Sequence, residues 1–171
     1  MPIRNPRELF VHMLSNLRQG TERATKVVQE FAQNVQDTDI REALEARIFV
    51  SQKILDTVDQ CFKLIGEQPV KVSGRMYDAF VEDFRIELAD IQHPTARNLF
   101  ILAKANQVLH LRIAEYRSLL AAADLSGHFA VGVLLESCLA DKLAFVERTR
   151  RLLQNLTATR MAEKLASKAV A

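Results

Sequence analysis

Apolar side chains recur at alternating spacings of three and four along most of this chain, which predicts helices rather than strands. The first stripe covers residues 10–35, behind Asn5-Pro6, a helix start with an N-cap residue and a proline in the first helical position. A second stripe covers residues 44–65 and stops at Gly66, a residue typical of helix C-termini. These spacings predict two long helices in the first half of the chain.

The second half has the same periodicity. A shorter helix is predicted at about residues 74–91, and His93-Pro94 interrupts the chain before a stripe over residues 102–119. The last helix is predicted to bury Leu134, Cys138, Asp141, Phe145, Arg148 and Leu152. We therefore predict an all-α four-helix bundle over residues 1–156, with one additional short helix in the crossover. Residues 157–171 form a basic C-terminal extension that either continues the helix or is a tail.

Composition excludes several classes of protein. The 171 residues suit one domain, and 49% hydrophobic with 26% charged residues is an ordinary globular composition. A net charge of +2 does not indicate a nucleic-acid or membrane partner. We see no signal peptide and no membrane span, so we expect a cytoplasmic protein. Cys61 and Cys138 lie within helical patterns and are predicted to be core residues.

Bundle cores commonly do chemistry by holding two metal ions, with Glu-x-x-His pairs among the ligands. The chain contains no such pair. The centre of the first stripe is Thr21, the second helix presents Arg47 and Val50, and the fourth presents Leu109 and Arg112. The last four side chains cannot ligate a divalent metal, and Thr21 offers only a neutral hydroxyl. We therefore expect no metal, no cofactor and no enzymatic activity.

The four histidines lie on different segments without ligand spacing between them. His110 lies beside the inward row of the fourth helix and is the best candidate among them, although a histidine in that position more often packs than ligates. Phosphate-binding loops and nucleophile motifs are also absent from the sequence.

Four segments carry a resemblance to a known family. They are residues 8–15 (ELFVHMLS), 62–69 (FKLIGEQP), 108–116 (VLHLRIAEY) and 134–143 (LLESCLADKL). Together they resemble the YciE/YciF family of bacterial ferritin-like stress proteins, over about residues 5–156. The resemblance implies a ferritin-like fold, a homodimer and a link to the stress response.

The same resemblance implies that the family's dinuclear metal site has been lost. Position by position, the family's ligands fall on Thr21, Arg47, Val50, Leu109, Arg112, Asp141 and Lys142. At most one carboxylate, Asp141, survives in this set. No metal ligand is therefore transferred to this chain.

Arg47 and Arg112 are the most informative of these departures, because an unpaired guanidinium in an apolar core is costly. One hypothesis is that one or both pair with Asp141, so that the protein supplies the positive charge a metal once provided. The alternative is that both side chains extend along the bundle and place their charged ends in solvent.

The C-terminal region is basic. Between residues 142 and 168 there are seven cations, at positions 142, 148, 150, 151, 160, 164 and 168, against Glu147 and Glu163. Such a region is either a solvated helix end, where cations favour the negative pole of the dipole, or a patch for an acidic partner.

Three functions remain at this point. The first is a non-catalytic structural or interaction protein, a homodimer with an unknown protein partner, linked to bacterial stress. The alternative is a ferritin-like iron or manganese protein with an unconventional site that uses Glu22, His110 or Asp141. The third is a module that binds an acidic partner or nucleic acid, although the net charge of +2 does not favour nucleic acid.

Overall fold

The computed structural model describes residues 3–169, with side chains through residue 158. Five helices account for most of the chain, and the described residues contain no strand. They are α1 (Pro6–Asn34), α2 (Thr38–Ile65), α3 (Arg75–Ala89), α4 (Pro94–Leu125) and α5 (Phe129–Ala169). The predicted all-α fold is confirmed, and the short helix in the crossover, α3, lies within two residues of its predicted bounds.

The four long helices form a square. The helix α1 packs against α2 and α4, and α5 packs against the same two helices. The end of α1 meets the start of α4, because the backbone N–H of Gln36 donates to Asn98 Oδ1 at 3.4 Å. The rings of Phe10 and His128 lie 5.0 Å apart, which places the start of α1 beside the start of α5. Short α3 lies outside the square, against α1 and α4.

The helix ends follow the predicted chemistry. Asn5 caps α1, since its side chain accepts a hydrogen bond from the backbone N–H of Glu8 at 2.9 Å. Glu8 in turn accepts from the backbone N–H of Arg4. Gly66 ends α2 with a φ of 68°, a left-handed conformation that favours glycine.

The buried face of α5 differs from the prediction. Leu135, Cys138 and Lys142 are buried, whereas Arg148 is exposed and Asp141 is about one-third exposed. The predicted stripe was wrong here because α5 carries apolar residues on all sides near its start, so periodicity alone does not select a face. The apolar stem of Lys142 packs inside the bundle as a long aliphatic chain does.

The end of the chain is helical as far as it is described. Helix α5 passes residue 156 without a break and continues to Ala169. Two of the predicted basic residues, Arg150 and Arg151, pair with Glu147, and Lys142 is buried. The cations at 160, 164 and 168 lie outside the described side chains, so the proposed acidic-partner patch stays a prediction.

The core divides into two apolar clusters stacked along the bundle axis. The first contains Leu17, Ile54, Tyr116 and Cys138. The second contains Ala24, Leu44, Val108 and other residues beyond the middle of the bundle. The boundary between the two clusters falls in the middle of each long helix.

None of the described helices is long and apolar enough to cross a membrane.

Candidate functional site

A layer of buried polar side chains separates the two apolar clusters. We call it the polar layer, and each of the four long helices contributes to it. Its members are Thr21 on α1, Arg47 and Ser51 on α2, Arg112 on α4 and Lys142 on α5. Three of these five side chains carry a charge, and the other two, Thr21 and Ser51, carry a hydroxyl group. The layer lies where the family resemblance locates a dinuclear metal centre.

Arg112 is the centre of the polar layer. Its guanidinium is 1% exposed, and Nη2 donates to the backbone carbonyl of Leu17 at 2.7 Å and to Thr21 Oγ1 at 2.6 Å. Nη1 donates to the hydroxyl of Tyr77 at 3.2 Å and pairs with Glu115. One side chain therefore connects α1, α3 and α4. Charge-assisted bonds of this kind are the strongest hydrogen bonds a protein makes.

A glycine makes room for this arrangement. A Cβ atom built on Gly20 of α1 would overlap Nη1 of Arg112 and lie 3.2 Å from a ring carbon of Tyr77. Glycine in a helix interior is otherwise unfavourable relative to alanine by about 1 kcal/mol. The guanidinium therefore lies in space that exists only because residue 20 has no side chain.

The counter-ion of Arg112 lies at the edge of the core. Glu115 is three residues further along α4, and its side chain is 28% exposed. Burial raises the pKa of Glu115, and the guanidinium of Arg112 opposes that effect. A groove of about 430 Å³ between α1, the start of α3 and α4 is lined by Gly20, Tyr77 and Glu115. The ion pair is thus reached from solvent through this groove.

Arg47 is bonded quite differently. It is 5% exposed, and its Nη1 donates to the backbone carbonyl of Ala105 on α4 at 3.0 Å. Burial, followed by the nearby charge of Arg112, lowers the pKa of Arg47 to about 10. A carbonyl offers a dipole but no full negative charge. Arg47 therefore carries a buried positive charge without a carboxylate partner in the described part of the chain.

Lys142 adds a third buried cation. It is 4% exposed, and no described carboxylate lies within ion-pair distance of it. Burial, then the charges of Arg47 and Arg112, lowers the pKa of Lys142 to about 7. An amine with this pKa is about half protonated in neutral solution.

The hypothesis that the arginines pair with Asp141 is wrong for both. Arg112 pairs with Glu115 instead, and Arg47 bonds to a carbonyl. The carboxylate of Asp141 lies on the outer side of α5, 3.9 Å from Nζ of Lys53. The reason is the rotation of α5, which places Lys142 rather than Asp141 in the core. The alternative in which the charged ends of the arginines reach solvent is also wrong, because both are buried.

The other residues singled out in the sequence lie outside the polar layer. Leu109 is fully buried and Val50 is partly buried against the first apolar cluster. Glu22 pairs with Arg18 on the outside of α1 at 2.6 Å. His110 is exposed, with its Nδ1 3.0 Å from the carbonyl of Asn106. Among the described residues, no three His, Cys, Asp or Glu side chains lie close enough together to hold a metal ion.

Three residues of the polar layer's surroundings, Gly20, Tyr77 and Glu115, were not predicted from the sequence. A signal for Glu115 was available, because residues three apart on a helix face the same side and can pair. Tyr77 comes from α3, outside the square, and its contact with Arg112 depends on the path of the crossover. Gly20 lies in the middle of a long amphipathic helix, and a glycine there indicates that a neighbouring group packs closely against the helix backbone.

Known proteins with this fold support the assignment of the architecture. The solved structure of the stress protein YciF of Escherichia coli is similar with a TM-score of 0.85, at 18% identity, over 91% of this chain and 99% of that one. YcfI of Rhodopseudomonas palustris, a proposed structural protein, is similar with a TM-score of 0.82, at 24% identity, over 86% and 94%. A ferritin-like, diiron-carboxylate protein of Bacillus anthracis has a TM-score of 0.67 at 17% identity, over 88% and 99%.

Sequence comparison points to the same group. Protein YciF of Escherichia coli K12 is 21% identical over 145 residues, which is 84% of this chain and 87% of that protein. The family described as Domain of unknown function (DUF892) matches residues 5–162. The chain therefore belongs to the DUF892 family, is similar to YciF and has a ferritin-like fold, as its sequence motifs predicted.

Proposed function

We propose that this chain is a non-catalytic, ferritin-like structural protein in which the guanidinium of Arg112 replaces the dinuclear metal centre as the link between helices. The observation that carries the proposal is the bonding of Arg112, which connects Leu17 and Thr21 on α1 with Tyr77 on α3 and Glu115 on α4. A metal centre at the family's ligand positions would link the four long helices through carboxylates, and Arg112 takes over the α1–α4 part of that link.

The charge of the polar layer supports this proposal. Three buried cations and one partly buried carboxylate, Glu115, leave the layer positive. A divalent cation is attracted by negative ligands and repelled by guanidinium groups at this range. The candidate residues of the metalloprotein alternative, Glu22, His110 and Asp141, lie on three helices and face outward or toward other partners.

We further propose that the protein acts through its surface, as a homodimer, in the bacterial stress response. The stress link comes from the relative YciF, described as a stress protein. The dimer is supported by exposed apolar side chains close to one another around the α4–α5 turn. Leu125, Phe129 and Val133 are 76%, 68% and 66% exposed, and the last two share one face of α5, since they are four residues apart.

Metal analysis tests the first part. The full chain, produced in medium supplied with iron and manganese, is expected to purify with far less than one metal ion per chain. A ligand that binds only the folded state raises the melting temperature of a protein. Because we propose that this chain binds no metal, adding ferrous or manganous ions is expected to leave its melting temperature unchanged. The Bacillus anthracis diiron-carboxylate protein, prepared in parallel, is the positive control. Near-stoichiometric metal in this chain would overturn the proposal.

The association state tests the second part. Light scattering on the purified full chain is expected to give twice the mass of one chain. The variant Phe129→Ser with Val133→Ser is expected to shift the mass toward that of the monomer. Leu99→Ser, which changes a 50% exposed residue at the opposite end of the bundle, is expected to leave the mass unchanged. A monomer for the unaltered chain would contradict the dimer without affecting the metal result.

A further inference from the structure

A small cavity lies beside the buried side chain of Arg47, between α2, α4 and α5. Its volume is about 10 Å³, and Arg47 forms part of its wall. A cavity of this size holds about one particle as large as a water molecule. Much of the remaining wall is hydrocarbon, from Ile40, Leu44, Leu102 and Leu152. The cavity therefore has room for one small ligand, with a guanidinium group beside it.

The guanidinium of Arg47 has hydrogen-bond donors to spare. Its Nη1 donates to the backbone carbonyl of Ala105 at 3.0 Å, whereas Nε and Nη2 have no acceptor among the described residues. The residue is only 5% exposed, and no described carboxylate lies within ion-pair distance of it. Because a buried charge is normally paired with an opposite one, the cavity lies beside a cation that lacks a counter-ion.

A second cation lines the same cavity. Arg148 of α5 forms part of the wall and is exposed, and it makes no ion pair with a described carboxylate. Its neighbour Glu147 pairs instead with Arg150 and Arg151. Among the described residues, no acidic side chain lines the cavity. Two like charges at one cavity repel each other, and an anion between them would turn that repulsion into attraction.

We propose that this cavity is a binding site for one small monovalent anion, chloride, held by the guanidinium groups of Arg47 and Arg148. Chloride accepts hydrogen bonds from several directions, so Nε and Nη2 of Arg47 can donate to it while Nη1 keeps its bond to Ala105. The anion supplies the negative charge that Arg47 lacks. This site goes beyond the structural role proposed above and does not depend on it, because that role rests on Arg112.

Size and hydration favour chloride over larger anions. Sulfate and phosphate carry several oxygen atoms and up to two or three charges, so they are too large for the cavity and cost more to dehydrate. Chloride is a single atom, only somewhat larger than a water molecule, and the exposed side chain of Arg148 can adjust to it. The polar layer adds to the attraction, since its three buried cations outnumber its one carboxylate, Glu115.

The dependence of stability on chloride tests the proposal in solution. The full chain is melted at constant ionic strength while sodium chloride replaces sodium gluconate, whose anion is too large for the cavity. A ligand that binds only the folded state raises the melting temperature, so a rise of a few degrees that saturates with chloride is expected. A melting temperature that does not respond to chloride, or that rises without saturating, would overturn the proposal.

Three variants assign the effect to the cavity. Arg47→Met is expected to abolish the chloride-dependent rise, and Arg148→Met, which changes an exposed side chain, is expected to weaken the affinity for chloride several-fold. Arg41→Met is the matched control, because Arg41 also lies on α2 and donates to a backbone carbonyl, that of Val35, but does not line the cavity. It is expected to keep the full rise. An undiminished rise in both Arg47→Met and Arg148→Met would show that chloride acts elsewhere and would overturn the site.

Bromide locates the anion directly. It binds in the same way as chloride and scatters X-rays anomalously, so crystals of the full chain grown in sodium bromide are expected to show an anomalous peak in contact with the guanidinium of Arg47. Anomalous peaks confined to the outer surface of the bundle would contradict the proposal, whatever the melting temperatures show.

Discussion

The guanidinium of Arg112 lies in the space that Gly20 leaves open on the neighbouring helix. A side chain at residue 20 would overlap the guanidinium nitrogen Nη1, so the two residues depend on each other. With the glycine in place, Arg112 reaches the carbonyl of Leu17 and the hydroxyl of Thr21 on α1. The pair therefore explains how a charged group occupies the centre of this bundle.

Gly20→Ala is expected to destabilise the protein, although alanine is the better helix former. The new methyl group would displace Arg112 and cost about 1–3 kcal/mol, which exceeds the helix-propensity gain of about 1 kcal/mol. Urea unfolding gives the free energy. Gly132→Ala is the matched control, because its Cβ would meet only Asp124 Oδ1, at 3.9 Å; it is expected to stabilise α5.

A double variant separates the clash from other effects of the alanine. If the penalty of Gly20→Ala arises from Arg112, it should vanish when Arg112 is already methionine. An equal penalty in both backgrounds would show that Gly20 matters for another reason.

Arg112→Met is expected to lower the free energy of unfolding by about 3–5 kcal/mol, because it leaves Glu115 without its counter-ion in a partly buried place. Arg112→Lys should recover only part of this, since an ammonium group cannot reproduce bonds to three helices at once. Chemical denaturation at neutral pH measures both variants.

Arg47→Met is the informative comparison for that pair of variants. Arg47 has no described carboxylate partner and bonds only to the carbonyl of Ala105. Replacing it with an apolar chain of similar length is therefore expected to change stability by less than about 1 kcal/mol, or to increase it. A loss as large as that of Arg112→Met would contradict the distinction between the two arginines.

Periodicity located most of this core but not the partners within it. Arg47 was correctly placed inside, because α2 has a polar outer face that leaves one choice of inward stripe. Arg112 was also correctly placed, on the buried stripe of Leu102, Leu109 and Tyr116. On α5, Val131, Val133 and Leu135 surround the helix, so the sequence favoured Asp141 where the fold buries Lys142. That rotation is decided by packing against α2 and α4, which no local pattern records.

The partner of Arg112 was missed for a different reason. The family resemblance drew attention to Asp141, whereas the nearest acid in the chain, Glu115, is on the same helix. An ion pair between residues close in sequence costs less chain entropy than one between distant residues. Residues three apart in a helix already lie on the same face. Tyr77 was not predictable in this way, because its position depends on how the crossover lays α3 against α1 and α4.

Tyr116→Phe is expected to stabilise the protein by up to about 1 kcal/mol. The hydroxyl of Tyr116 is buried and has no hydrogen-bond partner among the described residues beyond the thiol of Cys138, which bonds weakly, so removing it relieves a desolvation cost. Tyr77→Phe is the matched control and should destabilise by about 1–3 kcal/mol, because the hydroxyl of Tyr77 accepts a bond from Arg112. Thermal unfolding distinguishes the two, and a loss of stability in Tyr116→Phe would indicate that its hydroxyl is satisfied.

Lys142→Met is expected to stabilise the protein most at and below neutral pH. The folded-state pKa of Lys142 is about 7, against 10.5 for an ordinary lysine, so between these values the unfolded chain binds more protons. Stability of the unaltered protein should therefore rise with pH across this window, by up to about 1.4 kcal/mol per pH unit from this group. The variant lacks that contribution, so its advantage should be constant below about pH 7 and shrink as pH rises. Urea unfolding across this range measures the difference in the free energy of unfolding. Lys63→Met, which changes an exposed lysine, is the control. If the advantage of Lys142→Met did not change with pH, the amine would be charged in the folded protein throughout this range.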